Sequence, residues 1–374
     1  MLTAQSEYVK KLRPLLPLEA FQADPHKLIV LGLNLGIYVA GLTIARNLNH
    51  WPLEWLWLFL PMAVLMGNSV TVFLFGSHDL MHGSVLKKRS QISYLISFLG
   101  LALWWMPPSQ WRSLHNQVHH NNTNSVRDPD RNYLHEQPKT WGKWIHHLFA
   151  PSGEVNPLWL IFGMGTAWGV HNFRNLISVL FFTGGSADFV PAAFTVKPQD
   201  RQKILLELVT IIAVHLSILF YLQFQLIPVI LGYFLPIFLG HAMGMFYIYT
   251  NHLACPMTEV NDPLVNSVSL RMPRLFDCLH FNFSYHTEHH LFPDVNSDYY
   301  PLVQDLLQAH YPGQMNLLTA KQAWQMLLET PRHYQGETTL VGYDGTGAIA
   351  CPLPRQSSQC PGNAATEKVK TSAV

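Results

Sequence analysis

Three short strings of histidine carry the most chemistry in this 374-residue chain. They are His78-Asp-Leu-Met-His82, His115-Asn-Gln-Val-His119-His120 and His286-Thr-Glu-His289-His290, and they hold eight of its twenty histidines. On a helix, residues i and i+4 share a face about one turn apart. His78 therefore faces with His82, His115 with His119, and His286 with both His289 and His290. Each string is an arm of imidazoles, the commonest metal ligand and one suited to Fe, Zn, Cu and Ni. A tetrahedral ion takes four ligands. Eight imidazoles exceed that and suffice for two ions with positions left open, so the count points to a dinuclear centre. A single pair carries little weight, as His146-His147 outside the strings shows; three strings, each beside an apolar segment, carry far more.

The elements that must position these strings are apolar. Leu28 to Ala45 is 18 residues without a charge, and Trp55 to Gly76 is 22. A membrane-crossing helix needs roughly 17–25 such residues. Ile204 to Leu222, with only Glu207, and Leu226 to Thr250, interrupted by His241, give two more spans joined by a short hairpin link. Ile92–Met106 is short for a span. Leu158–Phe182 is broken by Gly163, Gly165, Gly169 and Arg174, and a charge at mid-bilayer costs at least roughly 2.5 kcal/mol. Both are expected to be re-entrant or surface-lying. Basic residues mark the cytoplasmic flanks of spans. Lys10, Lys11, Arg13 and Lys27 precede the first span and Lys87, Lys88 and Arg89 follow the second, so the N-terminus and everything after residue 251 are expected on the cytoplasmic side.

With four crossings, the three strings share one face of the membrane. His252, at the end of the fourth span, has the depth to be a ninth ligand. His241 lies 11 residues earlier, about 16 Å deeper at 1.5 Å per residue, and is expected, like His215, to be a satisfied buried group. Asp79, Asp128, Asp130, Glu288 and Asp294 are candidates to accept the second N–H of a ligating imidazole.

Composition narrows the class. Only 13% of residues are charged and the net charge is +1, which excludes a disordered chain and a nucleic-acid binder. Mean hydropathy of +0.11 fits a chain part lipid-embedded and part aqueous. The four cysteines form no C-x-x-C pair, so neither a disulfide framework nor a cysteine zinc site is expected. Glu-x-x-His is absent, excluding the ferritin-like di-iron pattern. His-Glu-x-x-His, which a zinc hydrolase needs, is absent too. Ligands at helix ends disfavour a metal transporter, which would hold them at the midplane. The first apolar helix is expected to be retained. One membrane-embedded domain is expected over residues 1–335, with a loosely ordered tail over 336–374.

The strings, in this order, resemble the histidine boxes of the membrane fatty acid desaturase family, which includes hydroxylases and carotenoid-modifying enzymes. The most specific pieces are His78-Asp-Leu-Met-His82-Gly, His115-Asn-Gln-Val-His119-His120-Asn-Asn-Thr-Asn and Tyr285-His286-Thr-Glu-His289-His290-Leu-Phe-Pro293, within a match from about Leu28 to Pro301. The resemblance implies an all-α membrane protein: four transmembrane helices under a cytosolic helical cap that carries the metal site. It implies a non-haem di-iron centre with His78, His82, His115, His119, His120, His286, His289 and His290 as ligands and His252 as the additional one. Some relatives have an Asn four residues before that histidine, contributing through water; here Ile248 stands there, and Asn251 is poorly placed to replace it. The resemblance further implies O₂ as co-substrate and electrons from a separate ferredoxin, rubredoxin or cytochrome b5 type donor, because the fused cytochrome's His-Pro-Gly-Gly is absent. The expected substrate is a membrane lipid or acyl chain receiving a double bond. The alternative is hydroxylation or ketolation of a carotenoid, alkane or sphingolipid. Trp104, Trp105, Trp111 and Tyr285 are candidate walls of its tunnel.

Overall fold

The computed structural model describes residues 2–86, 90–135, 145, 149, 151–152, 156–182, 190–192, 194–331 and 333–351. His146, His147 and the basic run at 87–89 lie outside them. Among the described residues, four helical stretches are long and apolar enough to cross a membrane: Lys27–His50, Leu53–His82, Pro198–Tyr221 and Leu226–Thr250. They match the four expected spans, the third ending at Tyr221, one residue short of Leu222. In lipid only a helix satisfies every backbone group within its own segment.

The main helices are α1 (Gln5–Leu12), α2 (Lys27–Ala45), α3 (Leu60–His82), α4 (Gln91–Ala102), α5 (Pro157–Phe181), α6 (Pro198–Tyr221), α7 (Leu235–Thr250), α8 (His286–Leu291), α9 (Tyr300–His310) and α10 (Ala320–Glu329). Helix α3 is the axis of the bundle: 61% of its apolar window is buried, against 33% for the first span and 22% for α6. The latter two expose leucines such as Leu33 and Leu206 where lipid would lie. Helices α3 and α7 approach closely through glycines. A Cβ on Gly240 would lie 2.6 Å from Val70 Cβ and 2.7 Å from the Gly67 carbonyl, the small-residue contact that lets membrane helices touch. Helix α3 ends at Gly83, whose φ of +88° makes a left-handed cap directly after His82.

One end of the bundle gathers the start of α2 and the ends of α3 and α7. Lys27 Nζ lies 3.7 Å from Asp79 Oδ2 at that end, while Asn49 hydrogen-bonds Gln225 at the other. Helix α4 runs down α3 from this end. Ser93 Oγ donates to the Leu80 carbonyl at 3.2 Å, and Trp104 Nε1 donates to the Val70 carbonyl at 2.7 Å. The descent covers ten residues of α3, about 15 Å. The chain turns at Trp105 (φ +53°) and is back beside His78 at Trp111, ring centroids 5.5 Å apart.

The segment expected to be broken at Gly163, Gly165 and Gly169 is instead one unbroken helix, α5. Gly165 faces the Phe238 ring of α7, where a Cβ would sit 2.2 Å from it, so this glycine serves packing. Arg174 does not meet lipid: it is buried, and its guanidinium donates to His171 Nδ1 at 2.8 Å.

Six short strands lie among the described residues: β1 (Leu134–His135), β2 (Val268–Arg271), β3 (Asn316–Thr319), β4 (His333–Tyr334), β5 (Thr339–Val341) and β6 (Ile349–Ala350). Parallel β2 and β3 make one sheet; the order β1-β4-β5-β6 makes the other. Leu340 and Val341 are buried, so regular structure continues past Gly336, where a loose tail was expected to begin, as far as Ala350. Around β2 and β3, helices α1, α8 and α9 share a small core of Tyr8, Leu12, Leu291, Tyr300, Val303 and Leu307.

Candidate metal centre

All nine candidate histidines converge at the end of the bundle where α3 and α7 finish. The ligand nitrogens of His78, His82, His115 and His289 lie within 4.8 Å of one another, as do those of His119, His252, His286 and His290. His120 joins the first group, its Nε2 3.2 Å from the Nε2 of both His115 and His289. In the second, His286 Nε2 is 3.0 Å from His252 Nε2 and 2.9 Å from His290 Nε2.

The strings do not map one to a group. His115 and His119 stack at 5.0 Å yet serve different groups, and the third string is divided likewise. The reason is local geometry. Arg112–Asn116 is a π-helical turn and His119–Asn121 a 3₁₀ turn, so the regular i, i+4 face expected of a plain α-helix is displaced. In α8, His289 points to the first group while His286 and His290, four apart, share the second.

The outward nitrogens are held by the surrounding chain. His119 Nδ1 lies 2.8 Å from Asp128 Oδ2, His115 Nδ1 3.1 Å from Asp130 Oδ2, and His78 Nδ1 3.2 Å from Asp79 Oδ1. His252 Nδ1 donates to the Asn266 carbonyl at 2.7 Å. His289 Nδ1 meets Tyr300 OH at 3.0 Å and His290 Nδ1 meets Thr123 Oγ1 at 3.2 Å. An ionised carboxylate or a carbonyl only accepts. His115, His119 and His252 therefore carry their proton on Nδ1 and turn an Nε2 lone pair inward. The Nε2 atoms of His78 and His82 are buried with no hydrogen-bond partner, which is costly unless something fills their lone pairs. Convergent imidazole lone pairs, fixed by outward acceptors, fit two borderline metal ions.

The electrostatics keep most of these imidazoles neutral, with His119 the exception. Burial lowers His115 and His252 to about 4. Burial, reinforced by neighbouring imidazoles, pushes His120, His286, His289 and His290 well below their ordinary value. Burial pulls on His119 too, but the Asp128 carboxylate outweighs it and raises that histidine. Asp130 loses solvation on burial, yet its bonds to His115 and His171 hold it well below the carboxylate range.

Of the acidic candidates, Asp79, Asp128 and Asp130 touch candidate ligands. Glu288 does not: it is buried against Ser269 and Gln304, at 2.5 and 2.7 Å, and burial raises it to about 7. Asp294 is exposed. His241 donates to the Leu103 carbonyl (3.1 Å) and His215 to that of Ala102 (2.9 Å), both as satisfied buried groups.

A cavity opens beside the two groups, bounded on its apolar side by Leu74, Met106, Trp111, Ile248 and Phe283. Of the four expected aromatic walls only Trp111 lines it, stacked on His115 at 4.7 Å. Trp104 and Trp105 are held in the turn below, Trp105 stacked on His215 at 3.9 Å, and Tyr285 lies at the start of α8. Asn251 and Ile248 both line the cavity.

Sequence reasoning missed His171, whose Nε2 lies 2.8 Å from Asp130 Oδ1, and His280, held between Asn68 Oδ1 at 3.1 Å and Tyr247 OH at 3.0 Å. Both are isolated histidines with no spacing to flag them. Asn132, on the cavity wall, lies in a turn and gave no signal.

A family model described as "Fatty acid desaturase" matches residues 51–319, a stretch containing every candidate ligand. No match was found among curated proteins. The nine converging imidazoles and this match agree, and the chain belongs to the fatty acid desaturase family.

Proposed function

We propose that this membrane oxidoreductase introduces a double bond into a fatty acyl chain, using a pair of non-haem irons, O₂ and electrons from a separate ferredoxin, rubredoxin or cytochrome b5 type protein. The observation that carries the reading is the gathering of remote histidines into two adjacent groups of four convergent ligand nitrogens.

Irons bound there, with O₂, would supply the oxidising power to remove hydrogen from an unactivated methylene, which no side chain has. The rest is the chain's work. The neutral imidazoles leave positive charge on the ions that a carboxylate shell would cancel. Asp128 and Asp130 hold protons at Nδ1 of His119 and His115 and so fix which nitrogen faces inward. Leu74 and Ile248, each one helical turn before His78 and His252, give the acyl methylenes an apolar wall that excludes water. Position matters here, since a near-attack geometry is worth several kcal/mol. Basic residues before the first span favour the cytoplasmic side for the metal end, within reach of a soluble electron donor.

The test is expression in a host lacking the activity, with its lipids profiled by mass spectrometry. The reading expects an O₂-dependent loss of two hydrogens from an acyl chain. A gain of one oxygen instead would make the enzyme a hydroxylase, and oxidation without O₂ would remove the oxygenase chemistry altogether.

A further inference from the structure

The cavity has a polar wall, and on it Asn132 carries an amide oxygen without a donor. Asn132 is 4% exposed. Its Nδ2 donates to the Ile248 carbonyl at 2.8 Å. That carbonyl only accepts, so the amide cannot be flipped, and Oδ1 is fixed as the atom turned away from Ile248. Oδ1 is buried and has no hydrogen-bond partner among the described residues. Asn132 lines the same cavity as His119, His252 and His286 of the second histidine group.

The protons of three neighbouring histidines are committed elsewhere. His119 Nδ1 serves Asp128 and His252 Nδ1 serves the Asn266 carbonyl. His171 is engaged through both ring nitrogens, with Asp130 and Arg174. The apolar lining residues Leu74, Met106 and Phe283 have no proton to give. A buried amide oxygen left unpaired is costly, and native structures nearly always satisfy one. No described side chain donates to Oδ1, so a donor that enters the cavity would satisfy it.

We propose that Asn132 is a positioning residue whose Oδ1 accepts a hydrogen bond from one O–H group in the cavity: either a water held at the second histidine group or a hydroxyl on the lipid substrate. The inference rests on the metal reading of the site. The Ile248 carbonyl that fixes the amide belongs to α7, one turn before His252, so Asn132 holds its acceptor in register with the second group.

Two measurements test it. A cryo-electron density map of the wild-type, iron-loaded protein in nanodiscs should show an ordered oxygen about 2.7–3.2 Å from Asn132 Oδ1; no oxygen there overturns the proposal. The second compares wild type with Asn132→Leu, similar in size but unable to accept. If the O–H group is water at the metals, the variant keeps its iron, and its ferrous near-infrared magnetic circular dichroism shifts with no lipid present. If it is a substrate hydroxyl, that spectrum is unchanged, and kcat/KM for a hydroxyl-bearing lipid falls about tenfold relative to its deoxy analogue. If neither moves, the proposal is overturned. A wild-type protein that binds no iron and oxidises no lipid would refute the metal reading instead, and the map separates the two failures.

Discussion

At the scale of single residues, a ligand and the group that orients it should fail differently. His119→Ala and His289→Ala each remove an inward lone pair from a different group, so both should abolish lipid oxidation while the protein stays in the membrane, as activity assays on membrane fractions would show. Asp128→Asn leaves His119 in place but replaces an obligate acceptor with an amide that can also donate. Losing such an orienting partner typically costs about 10–100-fold in metal affinity, to be read by competition with a chelator. The pH dependence has a defined sign. His115 and His252 sit at about 4 in the folded metal-free protein, against about 6.5 when unfolded. Their contribution to stability is present above pH 6.5 and is lost as pH falls toward 4, where the unfolded state takes up protons first. The Tm of the metal-free protein should therefore drop across that window; a Tm that rises on acidification would contradict the buried, neutral imidazoles. The candidate ligands of the three strings were legible in the sequence because their close clustering needs no tertiary information, and His252 was legible from its place at the end of a span. Their partners Tyr300, Thr123 and His171 were not, since remote contact leaves no local pattern.

At the scale of elements, the site depends on how closely α3 and α7 pack. They deliver His78, His82 and His252, and the glycine contact between them sets their spacing. Gly240→Val should push the helices apart, since even a Cβ there meets Val70 and the Gly67 backbone. Lower thermal stability and reduced iron per chain are expected together; a normal iron content would show that the two helices are not what spaces the ligands. A second tie holds the turn leading to His115. The Glu207 carboxylate of α6 accepts from Ser109 N at 2.9 Å, Ser109 Oγ at 2.6 Å and Tyr94 OH at 2.6 Å. Glu207→Ala would strand those donors, at about 1–3 kcal/mol each where buried, and should lower Tm measured in detergent. The four spans could be read from their nearly charge-free runs because lipid imposes length and apolarity directly. Helix α5 was misread: its glycines suggested breaks, but Gly165 is pressed against Phe238, and Arg174 finds His171 at the level of the site. The π-helical turn before His119, which hands neighbouring ligands to different groups, has no signature in composition.

At the scale of the whole molecule, apolar spans bring histidines from positions as far apart as 78 and 290 to one end of one bundle. The hairpin at 333–350 belongs to that same end, where Tyr334 OH donates to the Cys255 carbonyl at 2.6 Å, three residues past His252. Its short strands, buried by partners far away in sequence, could not be told from a polar tail. The central claim is that the chain holds a pair of irons, and metal analysis of anaerobically purified protein tests it most directly. Nine imidazoles in two groups predict about two irons per chain, both lost when His119 and His289 are replaced together. One ion per chain, or full lipid oxidation with zinc as the only metal present, would contradict it.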